Sequence, residues 1–431
     1  VIGGLFTATI LTMVVLPVLF KVFDGKEFKR PKFRKDQSKT YLMLLLLSTS
    51  FAFAQNSNAE LDSLIVKGIA NNKGLKASQL QVDRYEANIK SAYTFEKTNI
   101  YYNYDENNLA SNNKQLNVFG AQQRFSFPTV YGAQKKVYET EYEKEKASYE
   151  IQKSKLSLEI SQVYNHIVYL QDQEKLYFYL DSLYQNFSKA SNRRFELGET
   201  NYLEKITAQA KFRQIKTSLS QIKSDKSAHY DLLFSLIQKD DKIVIKNNSI
   251  TPLFNVTEEV IKDIHFAYLE SVTNIYESQI KLQKQHWLPD LNLDYFRGSN
   301  KGLSPSLSGF QLGIAVPLLF SGNISKTKVA QLELQSWKQQ KQNEEQKIEQ
   351  FIRQKKNELA KYQEAITYYN EFGKKLSDEI IKVANSSYKQ GEIDFFQYIQ
   401  SLENATSIQV EYLDNVLQFN KTQLDSQYLN F

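Results

Sequence analysis

With 431 residues, of which 42% are hydrophobic, the chain is long enough for two or three folded domains, and its 15 glycines and 7 prolines are too few for a turn-rich fold. The net charge of +6 is local: residues 21–39 hold eight Lys/Arg against Asp24, Glu27 and Asp36, so residues 55–431 sum to only +1 and a nucleic-acid partner has no support. There is no cysteine, which rules out disulfides, thiolate chemistry and an N-terminal lipid anchor on cysteine.

Val1–Phe20 carries no charge and is about long enough to span a bilayer. Residues 21–40 form a basic linker that would hold the end of that helix in the cytoplasm. Leu42–Phe53 is too short to span comfortably. Its basic flank, leucine-rich core and Ala52-Phe53-Ala54 have the layout of a secretory signal in residues 41–54, with cleavage expected between Ala54 and Gln55.

Residues 55–431 then say nearly the same thing twice, in repeats of about 55–250 and 251–431. Thr98–Asp105 and Val118–Phe127 alternate with period two, placing Ile100, Tyr102 and Tyr104, then Phe119, Ala121, Phe125 and Phe127, on one face. The second repeat offers Leu291, Leu293 and Tyr295, then Phe310, Leu312, Ile314 and Val316. About nine residues suits a tilted transmembrane strand, but four strands cannot close a barrel and an open sheet cannot sit in lipid, so the chain is expected to oligomerise; a trimer would supply 12 strands.

A proline at each strand-to-helix junction, Pro128 and Pro317, leads into a long helical run. Ala133–Leu197 has no glycine or proline, and at 1.5 Å per residue it would reach roughly 100 Å. The runs close at Gly198 and Gly391, and each is followed by a second striped run, Asn201 to about Ile237 and Phe395 to about Tyr428. Each repeat therefore reads as an antiparallel helical hairpin reversing at a glycine, where a left-handed backbone costs little. Phe195, Tyr202, Tyr388 and Phe395 surround the reversals, either packing them or meeting a partner.

Catalytic and metal chemistry find no foothold. His166, His229, His265 and His286 stand far apart in sequence, and both methionines, Met13 and Met43, precede the expected cleavage site, leaving no soft sulfur ligand. No cofactor is called for. The charge runs at 138–146 and 339–350 read as solvated helix faces laced by Glu–Lys pairs.

The order strand, strand, proline, long helix, hairpin turn, given twice, resembles the outer-membrane factor family typified by TolC, over about Asn56–Tyr428. The carrying residues are Phe127-Pro128, Val316-Pro317, Arg194-Phe195-x-x-Gly198 and Tyr388-x-x-Gly391. The resemblance implies a mainly helical fold with a small β part: four transmembrane strands per chain completing a 12-stranded barrel in a homotrimer, above a periplasmic helical tunnel whose hairpin tips dock an adaptor. Some relatives narrow the tunnel with acids six and nine positions after the second turn glycine. Here those positions are Gln397 and Gln400, and Glu204 holds the six-residue offset in the first repeat, so these three are the candidate constriction residues.

Gly3–Phe20 separately resembles the last transmembrane helix of heavy-metal pumps of the RND superfamily, which implies a pump tail fused ahead of this protein and places it in the CzcC/CusC-like heavy-metal branch. The expected function is thus a non-enzymatic outer-membrane duct for heavy-metal cations, partnered with an RND pump and a periplasmic adaptor. The exit duct of a type I protein secretion or multidrug system is the alternative, and a soluble coiled-coil scaffold a lesser one.

Overall fold

A computed structural model describes residues 58–109, 114–238, 243–247, 249–254, 259–300, 303–318 and 320–428. The chain divides after Asn58 into two units, and the second, Ala59–Phe431, holds the elements that bear on function. The apolar helix, basic linker, signal segment and cleavage site expected in residues 1–55 lie outside the described residues. Among the described residues no helix is long and apolar enough to cross a membrane.

The order of elements is α1 (Asn58–Asn71), α2 (Lys73–Ile89), β1 (Asn99–Leu109), β2 (Gln115–Phe125), α3 (Pro128–Glu196), α4 (Tyr202–Ile237), α5 (Glu259–Gln285), β3 (Asp290–Asn300), β4 (Leu303–Ala315), α6 (Ser321–Tyr368), a π-helical turn (Tyr369–Gly373), α7 (Lys374–Gln390) and α8 (Phe395–Tyr428). Pro128 stands in the first turn of α3, where its missing N–H costs nothing and its fixed φ favours the helix. The 69 residues of α3 give roughly 100 Å of helix. Pro317 behaves differently, because α6 starts only at Ser321; Pro317 sits in the connection.

The second long run is also not one α-helix. The π turn at Tyr369–Gly373 interrupts it, with Gly373 buried where a Cβ would stand 3.3 Å from Ile408 Cγ2, and with Tyr369 stacked on Tyr412 at 3.8 Å between centroids. Such a turn carries one residue too many for the α ladder. No sequence period marks it.

The four strands form one antiparallel sheet in the order β1-β2-β3-β4. The β2–β3 pairing, with Ala121 opposite Tyr295 and Phe125 opposite Leu291, joins the two repeats. Register then aligns one apolar row across all four strands: Ile100 and Tyr102 opposite Ala121 and Phe119, and Leu291, Leu293 and Tyr295 opposite Ile314, Leu312 and Phe310. Its large side chains are open to the surroundings, from 40% exposed at Leu291 to 73% at Leu312, while Ala121 is half-buried. On the other face two rings lie over glycines: Tyr101 crosses Gly120 to donate from its hydroxyl to the Asp294 carboxylate at 3.0 Å, and Phe296 covers Gly309. A side chain at either glycine would collide with the ring.

The main apolar core gathers Ile160, Ile167 and Val168 of α3, Leu233 and Ile237 of α4, Ile366 of α6 and Val416 of α8. The described parts of the segment linking the repeats, residues 243–247 and 249–254, run over it without helix or strand, and side chains bond to their backbone. Glu60 accepts from the N–H of Lys246 at 2.9 Å, Asp172 from Ile250 at 2.7 Å and Asn420 from Leu253 at 2.9 Å, while Ile245 and Ile250 are buried. The charge runs do form surface pairs, such as Lys135–Glu139 at 3.5 Å and Lys341–Glu345 at 3.9 Å, of the kind that contribute a few tenths of a kcal/mol each.

Candidate functional site: the paired hairpin tips

Both helical reversals are built the same way. Gly198 (φ 71°) and Gly391 (φ 73°) hold the left-handed conformation. At the first, Glu199 N–H donates to Arg194 C=O at 2.8 Å and Gly198 N–H to Phe195 C=O at 3.0 Å; at the second, Glu392 donates to Ser387 at 2.9 Å and Gly391 to Tyr388 at 3.2 Å. These two bonds are the Schellman motif, which satisfies carbonyls that the ending helix leaves unpaired. Each following helix is capped at the same distance from its glycine. Asn201 Oδ1 accepts from Glu204 N–H at 2.8 Å, and Asp394 Oδ1 accepts from Gln397 N–H at 2.9 Å.

The side chains three places into those helices then part company. Gln397 turns back so that its Oε1 accepts from Asp394 N–H at 3.1 Å, closing a capping box, and it stays exposed, as does Gln400. Glu204 makes no such return. Its carboxylate is buried and accepts from Arg194 Nη1 at 3.3 Å, from the Tyr388 hydroxyl at 3.3 Å and from the Thr200 hydroxyl. Arg194 Nη1 also donates to the Tyr388 oxygen at 2.9 Å. Glu204 is therefore not a solvated surface charge but the centre of a bolt joining the first tip to the second. Burial first, and the Glu204 carboxylate next, push the Tyr388 hydroxyl above its ordinary pKa.

Aromatic packing carries the same asymmetry. Phe395 is 4% exposed, stacked on Phe187 of α3 at 5.1 Å, with Tyr398 stacked on Tyr388 at 4.6 Å. They belong to a second core cluster, separate from the main one, with Leu180 and Tyr184 of α3, Ala208 of α4 and Leu402 of α8. At the matching position Tyr202 is 61% exposed, tilted against Phe195 at 5.8 Å, with Lys205 Nζ over the Phe195 ring. Leu197 and Leu203 are exposed beside it. The six aromatic and glycine positions thus do gather at one end of the two hairpins, but Phe395 and Tyr388 pack the reversal while Tyr202 is open.

Sequence reasoning did not single out Arg194, Thr200, Asn201, Asp394, Phe187 or Tyr398 for these roles. The signal for the caps was present, since Asn201 and Asp394 follow their glycines by three residues. Two of the histidines that stand far apart in sequence are brought together by the fold: His166 and His229 stack face to face at 4.1 Å, and burial, then the neighbouring ring, lower the His166 pKa to about 4. Among the described residues no group of three or more His, Cys, Asp or Glu is placed to hold a metal ion.

No family model and no curated protein matches the sequence. The fold does match solved structures. A membrane protein from Pseudomonas aeruginosa superposes with a TM-score of 0.74 at 14% identity, covering 86% of this chain and 93% of that one. CusC, described in terms of folding and transmembrane channel formation, matches with a TM-score of 0.71 at 13% identity over 94% of this chain and 98% of its own. The outer membrane protein VceC from Vibrio cholerae matches at 0.71 and 14% identity, over 86% and 95%. The fold is therefore that of outer-membrane channel proteins: mainly helical with a small antiparallel sheet.

Proposed function

We propose that the chain is the outer-membrane channel of a tripartite efflux system, a passive duct without catalytic chemistry. The observation that carries this is the sheet: a full-width apolar row open to the surroundings, with the outer edges of β1 and β4 unpaired among the described residues. In water such a row would aggregate, and in lipid the edges would each leave unsatisfied backbone groups. Copies of the chain pairing β4 to β1 remove both problems at once. Three copies give a 12-stranded barrel, and the proposed assembly is a homotrimer inserted in outer-membrane lipid after removal of residues up to Ala54.

The finer assignments follow the same reading. The tips would face the periplasm, where Gly198, Gly391, Phe195, Tyr202, Tyr388 and Phe395 shape the surface offered to an adaptor and an RND pump. Exposed Leu197, Tyr202 and Leu203 support docking at the first tip. Gln397 and Gln400, exposed and uncharged, form the proposed constriction, with Glu204 behind it as the bolt. Heavy-metal cations are the proposed cargo. The test is twofold: light scattering of the detergent-purified protein, expected to give a trimer of mature chains beginning Gln-Asn-Ser-Asn, and metal sensitivity of a deletion strain, expected to rise. A folded, membrane-inserted monomer would overturn the assembly, and unchanged metal tolerance would overturn the cargo.

A further inference from the structure

The geometry points to an acid-sensitive clasp at the root of the first hairpin, made by His166 of α3 and His229 of α4. Counted from Gly198, His166 lies 32 residues back and His229 31 residues on, so the two rings close the hairpin at one level, roughly 45 Å from its tip. They stack with 4.1 Å between centroids and 4° between planes. A cavity of about 230 Å³ lies against both rings where α3, α4 and α8 meet, with Val163, Leu232 and Leu417 among its walls. Such a stack tolerates one proton at most, because two imidazolium ions held face to face repel. The clasp depends on the fold alone and not on what the chain conducts.

The setting resists even the first proton on His166. His229 Nδ1 donates to the Asp225 carbonyl at 2.8 Å, so an added proton on that ring must go to its other nitrogen. The half-buried His166 has no hydrogen-bond partner among the described residues to receive an N–H, and the Tyr169 ring stands edge-on to it at 5.5 Å. Two charged groups act on His166 directly: Asp225 of α4 favours its protonation and Lys421 of α8 opposes it. The charges beyond them are engaged elsewhere, Lys226 of α4 with Glu174 of α3, and Asp425 of α8 with Gln162 at 2.7 Å and Lys355 at 3.3 Å. Burial first, then His229, outweigh Asp225 and hold the His166 pKa at about 4 against an ordinary 6.5. Opening the root restores the ordinary value, so acid favours the open form: the clasp is closed above about pH 6.5 and is lost as pH falls toward 4. Between pH 7 and pH 5 the opened fraction should rise about 20-fold. What is released is the end of α4 opposite the turn, while the glycine turn and its Asn201 cap hold no histidine and stay closed.

Hydrogen exchange of the full chain in detergent, corrected for the intrinsic pH dependence of amide exchange, tests this. Opening at residues 222–237 should increase about 20-fold from pH 7 to pH 5, whereas α7 and α8, which contain no histidine, provide the internal reference and should change far less. His166→Phe keeps an aromatic ring in the stack and removes the titrating group, so most of the pH response at 222–237 should disappear. His166→Gln, also uncharged, gives the same reading should the larger ring fail to fit. Exchange at 222–237 that merely follows α7 and α8 between pH 7 and pH 5, or a response as large in the folded His166 variant as in the wild type, overturns the clasp.

Discussion

The two hairpin tips share a backbone and differ in almost everything else. Both reverse on a left-handed glycine in a Schellman motif, and both restart on an Asx cap three residues on. Yet Phe395 is buried against Phe187 whereas Tyr202, its counterpart, is open, and Gln397 caps its own helix whereas Glu204 reaches across to the other hairpin. A turn is thus written locally, while the fate of its side chains is set by neighbours. The second tip lies against α3, the helix that also carries the first. The matching side of the first tip stays open at Tyr202, and under the proposed function this is the side offered to a docking partner.

The asymmetry is tested most severely at the aromatic pair. Phe395→Ala empties a buried, stacked position and should cost about 3 kcal/mol in opening of the second tip. Hydrogen exchange of the last turns of α7 and the first of α8 would show it, and protection equal to wild type would mean the stack is not what holds the tip.

Glu204→Ala comes next. It strands Arg194 and Tyr388 in a half-buried setting, and the loss should be about 2 kcal/mol, with faster exchange at both tips rather than one. An effect confined to α4 would show that the bolt does not couple the hairpins.

Valine at either glycine should be strained by about 1–2 kcal/mol, since a Cβ meets no atom within 4 Å at Gly198 or Gly391 and only the positive φ objects. The two substitutions should therefore cost the same, unlike those at Phe395 and Tyr202 or at Gln397 and Glu204. Gly391→Val should impair export and adaptor cross-linking while leaving trimer insertion intact; normal export with normal cross-linking would show that the turn is neither strained nor part of the docking surface.

Alkali should separate the tips more gently. Burial pushes Tyr398 up to about 12 and raises Tyr388 above its usual value of 10.0. A raised folded pKa means that stability is fully present below pH 10 and is lost as pH climbs toward 12, because the unfolded chain releases its phenolic protons first. Exchange at the second tip should thus accelerate between about pH 10 and 12, beyond the intrinsic base catalysis seen at the first. The smallest effects are expected at Tyr202→Ala and Gln397→Ala, about 0.5 kcal/mol or less in stability, so any loss of adaptor cross-linking in Tyr202→Ala reports contact and not unfolding.

The helical hairpins and their ends were legible in the sequence alone. Unbroken runs free of glycine and proline propagate as helix, and glycine followed by an Asx cap ends one helix and begins the next within a few residues. The faces of the strands were legible too, because alternation is a property of each strand by itself. Other features required the packed chain, since they depend on contacts between residues far apart. The Glu204 bolt reaches Tyr388 across 184 positions, and the His166–His229 stack and the Tyr101–Asp294 tether likewise exist only once distant elements pack. The start of α6 beyond Pro317 and the π turn at Tyr369–Gly373 belong with them. Each is a local departure settled by how one long helix fits its neighbours, and the pattern of apolar residues along that helix does not encode the fit.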